Sequence, residues 1–355
     1  LLTMEPYGTS FGGGIRVASG DINNDGVADV ITAAGVGGGP HVKVFDGLTG
    51  SELAGPLGSF FAYSPAFTGG VFVASGDLNN DGFDDVITAA GAGGGPHVRA
   101  FSGKDGSILA DFFAYSPIFR GGVSVASGDI NADGLDDIIT GAGPGGGPHV
   151  MAFSGDDQSV LASFFPYNPN FAGGVSVAAG HLNPSVDQNA DIITAAGPGG
   201  GPHIKALSGA NVTIELANFF AYDPFFTGGV SIAAADMNGD GVTEFLTGTL
   251  PGSNPHLRVF DGTDTTNVVT EFFAFDPTGG SGVFLAGSRI DPNIPPPVNF
   301  QSLSFPSIVS GEENSSKLFP PNDDDKSRQG SGEILEVLDL EFSDGALWNE
   351  LPSAL

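Results

Sequence analysis

The stretch GGVFVASGDLNNDGFDDVITAAGAGGGPHVRAFSGKDGSILADFFAYSP, Gly69 to Pro117, decides the fold, because the chain repeats it. From Gly121 to Pro169 the sequence reads GGVSVASGDINADGLDDIITGAGPGGGPHVMAFSGDDQSVLASFFPYNP, nearly superimposable on the first. A recurring His at positions 41, 97, 149, 203 and 256 marks five copies of roughly 53 residues, running from about Gly13 to Phe275. Each copy holds four short stretches rich in Val, Ile and Phe, separated by turns of Gly, Asn and Asp. In the second copy they are Val71–Ser75, Asp85–Ala90, His97–Phe101 and Ile108–Tyr115. Partial alternation and β-branched content make them half-buried antiparallel strands. Four strands per repeat is the arithmetic of a propeller blade, whereas solenoid coils are usually shorter. The expected fold class is therefore all-β, a β-propeller of four-stranded antiparallel blades.

The two ends suggest closure. Thr3 to Ile15 aligns without a gap on Asp111 to Val123, so the chain starts on the fourth strand of a blade. Gly282 to Ile290 repeats the first strand of a sixth copy, and Val298 to Phe305 offers one strand more. Pairing these with Leu1 to Pro6 predicts six blades closed by the N-terminal strand, which removes the open edge of a linear stack. A truncated larger propeller is the alternative. The propeller is assigned residues 1–306. Residues 307–355, rich in Asp, Glu, Ser, Asn and Pro, are expected to form an acidic, mostly disordered tail.

Composition narrows the function classes. Eleven Lys and Arg against 41 Asp and Glu give a formal charge of −30, which repels a phosphate backbone, so nucleic acid is not an expected partner. Cysteine is absent, which excludes disulfides, thiolate nucleophiles and zinc–sulfur sites. No apolar run reaches the roughly 18 residues needed for a membrane-spanning helix.

The acids cluster in one place. After the first strand of four copies comes an acidic nonapeptide: DINNDGVAD from Asp21, DLNNDGFDD from Asp77, DINADGLDD from Asp129 and DMNGDGVTE from Asp236. Calcium takes six to eight hard oxygen ligands, and a loop coiled on the ion can present positions one, three, five and nine plus the carbonyl of position seven. The candidate ligands are thus Asp21, Asn23, Asp25, Val27 and Asp29 in the first loop. They are Asp77, Asn79, Asp81, Phe83 and Asp85 in the second, and Asp129, Asn131, Asp133, Leu135 and Asp137 in the third. Asp236, Asn238, Asp240, Val242 and Glu244 serve in the last. Glycine at position six allows the sharp turn. Asn and Asp are common turn residues in any case, but four loops in one phase of one repeat favour a cation, and about four calcium sites are expected. The fourth copy departs, with His181 at position one, Pro184 after the Asn and two extra residues before Asp191.

This loop, followed by DVITAAGAGGGPHVRAF and its equivalents, resembles the FG-GAP repeat of the VCBS type, found in integrin α-subunit propellers and in bacterial surface proteins. The resemblance covers about residues 1 to 290. It implies calcium held in hairpin loops on one face of an extracellular or cell-surface protein, acting in recognition, adhesion or scaffolding with a protein or carbohydrate partner. A passive spacer within a larger surface protein, or a polysaccharide-active propeller, are the alternatives. No nucleophile with a base, and no carboxylate pair outside the loops, breaks the repetition, so catalytic residues are not expected. The GVGGGPHV segments lack the Lys-Ser/Thr ending of a phosphate loop and continue as strands, so close backbone approach explains them better. The recurring His is expected to bond a neighbouring blade. One Phe of each FF pair is expected between blades, and the Tyr two residues on is expected to pack at a corner.

Overall fold

The computed structural model describes residues 2–276, 280–287 and 335–337. Five four-stranded antiparallel sheets follow one another along the chain, each a simple meander in sequence order. Blade 1 comprises Ile15–Gly20, Asp29–Ala34, His41–Phe45 and Ser59–Phe61; blade 2, Val71–Gly76, Asp85–Ala90, His97–Phe101 and Ile108–Phe113. Blade 3 comprises Val123–Gly128, Asp137–Ala142, Val150–Phe153 and Val160–Phe164; blade 4, Val175–Gly180, Asp191–Ala196, His203–Leu207 and Glu215–Phe220. Blade 5 comprises Val230–Ala235, Glu244–Thr249, His256–Phe260 and Val268–Phe273. The first strands of consecutive blades are neighbours, so they form the inner wall.

Burial grades outward from the second strand. Every residue of the second strand is buried in all five blades, and the strand accordingly reads as an apolar run broken by an acid at its start and a Thr at its fourth position. Third strands alternate, and the fourth leave their outward residues exposed. In the FF pairs the first Phe packs inward, Phe60 against Phe101 of the next blade with ring centroids 5.0 Å apart. The second, as in Phe113, is about half exposed. Glycine closes the blade interfaces. A β-carbon on Gly70, at φ +79°, would meet the Gly35 carbonyl carbon of blade 1 at 2.8 Å, the close backbone approach expected of the GGGPH segments.

The blade count differs from expectation: among the described residues five four-stranded blades are present, not six. Residues 280–287 do lie where a following first strand would begin. Ser231 donates to the Val283 carbonyl at 2.6 Å, and Arg16 of blade 1 stacks on both Phe72 and Phe284. Among the described residues, however, that segment pairs with no second strand. The sequence beyond it, DPNIPPPV, supplies prolines that lack the N–H a sheet ladder requires. The N-terminal strand Leu2–Met4 pairs instead with Leu335–Val337, as a separate two-stranded antiparallel sheet. Val298 to Phe305 lies outside the described residues, as does most of segment 307–355.

Candidate metal centre

Each acidic nonapeptide joins the first strand of a blade to the second, so all of these loops fall at one end of the blades. The second residue anchors the loop: Ile22, Leu78 and Ile130 are buried in the core. Glycine at position six takes a left-handed conformation in every case, at φ +89° in Gly26, +87° in Gly82, +89° in Gly134 and +86° in Gly241.

Positions one and five curl over the turn. Asp21 accepts from the N–H groups of Asp25 and Gly26 at 3.0 and 2.8 Å, and Asp25 accepts from Val27 at 2.9 Å. The same bonds recur in the next two loops: Asp77 accepts from Asp81 and Gly82, and Asp81 from Phe83; Asp129 accepts from Asp133 and Gly134, and Asp133 from Leu135. In the last loop Asp236 accepts from Gly241 at 2.9 Å and Asp240 from Val242 at 2.8 Å. At position three Asn79, Asn131 and Asn238 accept from the N–H of position five, whereas the Asn23 Oδ1 is buried without a donor. Val27, Phe83, Leu135 and Val242 thus close the turn through their amides.

Position nine does something else. Asp29 accepts from the Ile22 and Gly47 amides, both at 3.0 Å, Asp85 from Leu78 and Gly103, and Asp137 from Ile130 and Gly155. Asp191 of the departing fourth loop makes the same two bonds, to Leu182 and Gly209. This carboxylate therefore ties the loop to the third-strand turn whether or not the rest of the nonapeptide is present. Glu244 reaches the Met237 amide with one oxygen and the Asn238 side chain with the other. Burial drives the Asp29 carboxyl up to about 6 and that of Asp85 to about 7. Backbone donors oppose the shift, and the nearby acids at positions one and five add to it.

The residues suit a hard cation: the side chains offer oxygen only, they carry repelling charges, and one amide oxygen is buried without a donor. Among the described residues no three acid or imidazole side chains converge on a single point. The fourth loop also holds buried oxygens without a donor, Asn183 Oδ1 and Asp187 Oδ1.

The eighth position was missed by the sequence reading. Asp84 accepts from the Asp21 amide at 2.9 Å, Asp136 from Asp77 at 3.2 Å and Thr243 from His181 at 2.9 Å, so each loop is latched to that of the preceding blade. Backbone bonds run alongside, as from the Asp84 amide to the Asp21 carbonyl. The signal was faint, since position eight holds Ala, Asp, Asp and Thr in the four regular loops. The histidines also correct an expectation. His41, His97, His149 and His203 bond the fourth strand of their own blade, at Ser59, Asp111, Ser163 and Asn218, with rings against Phe61, Phe113, Phe165 and Phe220. Tyrosine makes the link between blades instead. Tyr115 donates to the carbonyls of Thr140 and His149, and Tyr7, Tyr63, Tyr167 and Tyr222 repeat the contact.

Meandering four-stranded blades with an acidic loop after each first strand define a repeat propeller. Residues 69–108 match the family model of the FG-GAP repeat, and together with the blade arrangement this match supports an FG-GAP repeat propeller. No curated protein matches the chain. Among solved structures, the V. cholerae biofilm matrix protein Bap1 is similar at 21% identity and a TM-score of 0.39, over 76% of this chain and 40% of that one. An Agrocybe aegerita lectin that recognises non-reducing terminal N-acetylglucosamine is 16% identical with a TM-score of 0.41, over 74% of this chain and 66% of the other. The rhamnogalacturonan lyase YesW is 13% identical with a TM-score of 0.37, over 74% and 61%. The chain thus spans 40% to 66% of the length of these proteins, and likeness at this level transfers no activity to it.

Proposed function

We propose that the chain is a calcium-binding, extracellular FG-GAP propeller that serves as a recognition, adhesion or scaffolding module. The observation that carries this reading is the recurrence of one acidic turn four times at one end of the blades, with the same first-to-sixth bond in all four and the first-to-fifth bond in the first three. Repulsion among two or three carboxylates in each turn opposes the folded loop until a cation is present. Asp21, Asn23, Asp25 and their counterparts would hold the ion, while Asp29, Asp85, Asp137 and Glu244 brace the loop through the amides they accept from. The latch through position eight would carry the rigidity of one loop to the next. A protein or carbohydrate at the cell surface is the partner such a repeated, rigid face suits, and no helix among the described residues is long and apolar enough to cross a membrane.

Equilibrium dialysis against calcium should find about four ions per chain, and a stoichiometry near zero would refute the reading. A glycan array then separates recognition from a passive spacer. Turnover of an acidic polysaccharide would favour the enzyme alternative.

A further inference from the structure

The blades are not equivalent at the interface that the tyrosines pin. On each third strand, two residues after the His position, stand Lys43, Arg99, Met151, Lys205 and Arg258 in turn. Four are cations, and where they are arginines the contacts to a backbone carbonyl and an acid are the same in both blades. Arg99 donates to the Ala62 carbonyl at 2.8 Å and to Asp111, and Arg258 donates to the Ala221 carbonyl at 3.0 Å and to Glu271. The Arg258 guanidinium lies 5.4 Å from the centroid of the Tyr222 ring, while that of Arg99 lies 5.5 Å from the centroid of Phe101. Lys43 and Lys205 pair with Glu52 and Glu215.

Blade 3 breaks the pattern. Met151 stands where the cation belongs, opposite Ser163 across the strands as Lys43 stands opposite Ser59. Beside it opens a cavity of about 400 Å³ lined by Tyr115, Ser116, Phe119, Ala142, His149 and Met151. That volume lies within the range of small-ligand sites. Tyr115 occupies the place of Tyr222, and Ala114, in the buried turn before it, occupies that of Ala62 and Ala221. Arg120, the nearest cation in sequence, is turned to the Pro117 and Phe119 carbonyls of its own loop.

We infer that this slot between blades 2 and 3 binds an alkylguanidinium, the exposed arginine side chain of a partner protein, in the position that Arg99 and Arg258 fill from within the chain. The guest would stack its stem on Met151 and Phe119, lay its cation on the Tyr115 ring and donate to the Ala114 carbonyl. The −30 charge of the chain favours the approach of a cation. Burial holds the His149 imidazole below its ordinary range, so it adds no opposing charge at neutral pH. The slot lies at the end of the blades opposite the acidic loops, and the inference stands apart from the calcium reading.

The chain has three methionines, Met4, Met151 and Met237, so methyl labelling gives one reporter at the slot and two away from it. With calcium constant, titration of the full chain with ethylguanidinium should shift the Met151 methyl signal saturably and leave the other two nearly still. Ethylurea, its neutral counterpart in shape, should bind about tenfold more weakly. No saturable shift, an equal response to ethylurea, or parallel shifts of Met4 and Met237 would each overturn the inference. Met151→Arg supplies the guanidinium from within. It should fold, as the same residue does in blades 2 and 5, and should abolish ethylguanidinium binding observed on the ligand. Failure of that variant to fold, or unchanged binding to it, would contradict the equivalence of the sites.

Discussion

Tyr115 carries its hydroxyl from the end of blade 2 to two carbonyls of blade 3, Thr140 at 3.0 Å and His149 at 2.9 Å. Burial raises its pKa well above the ordinary tyrosine range, so the phenol stays a donor at any working pH. Tyr115→Phe keeps the ring and removes both bonds, and should cost about 1 kcal/mol, read as a lower denaturant midpoint at unchanged slope. An unchanged midpoint would show that the contact contributes nothing. The sequence placed this tyrosine at a corner but gave the interblade bond to the histidine. Periodicity shows that both recur; it does not show which of two polar groups a few residues apart crosses the interface. For the same reason position nine reads as a ligand by spacing alone, whereas Asp191 shows the same carboxylate at work in a loop without the motif.

At the scale of one loop, positions five and nine separate binding from folding. Asp85→Ala strips the acceptor from two amides, Leu78 and Gly103, and should destabilise the protein by about 1–3 kcal/mol for each buried group left unpaired, with or without calcium. Asp81→Ala leaves those bonds intact. Apart from the single bond from the Phe83 amide, it should cost stability in calcium, and should lower the ion count by about one. Melting of both variants in calcium and in chelator checks the pair, and equal calcium dependence of the two losses would contradict the division. Gly91→Ala tests the close approach inside a blade, because its β-carbon would sit 2.2 Å from the Gly69 carbonyl oxygen. A loss of about 1–3 kcal/mol is expected in thermal melts, and a neutral outcome would mean that the two turns can part freely. These glycines were legible as a repeated GG and GGG pattern, but which backbone each one meets was not, since that depends on the twist of adjacent blades.

Across the whole molecule, the repeat made the blade legible strand by strand, because each strand has its own apolar pattern and each turn its own residues. Closure was not legible. The similarity of Gly282–Ile290 to a first strand suggested a sixth sheet, while the pairing of Leu2–Met4 with Leu335–Val337 joins segments more than 300 residues apart, with no repeat to announce it. The calcium reading likewise concerns the whole ring, since position eight links each loop to its neighbour and ions at four loops would stiffen one end of all the blades together. With free calcium about a hundredfold above Kd, each site would contribute about 2.7 kcal/mol, provided the unfolded chain binds little. Thermal unfolding of the full chain in millimolar calcium and in excess chelator measures this directly. Calcium should raise Tm by roughly 10 °C or more, and superimposable melting curves in the two conditions would contradict calcium binding by the acidic loops.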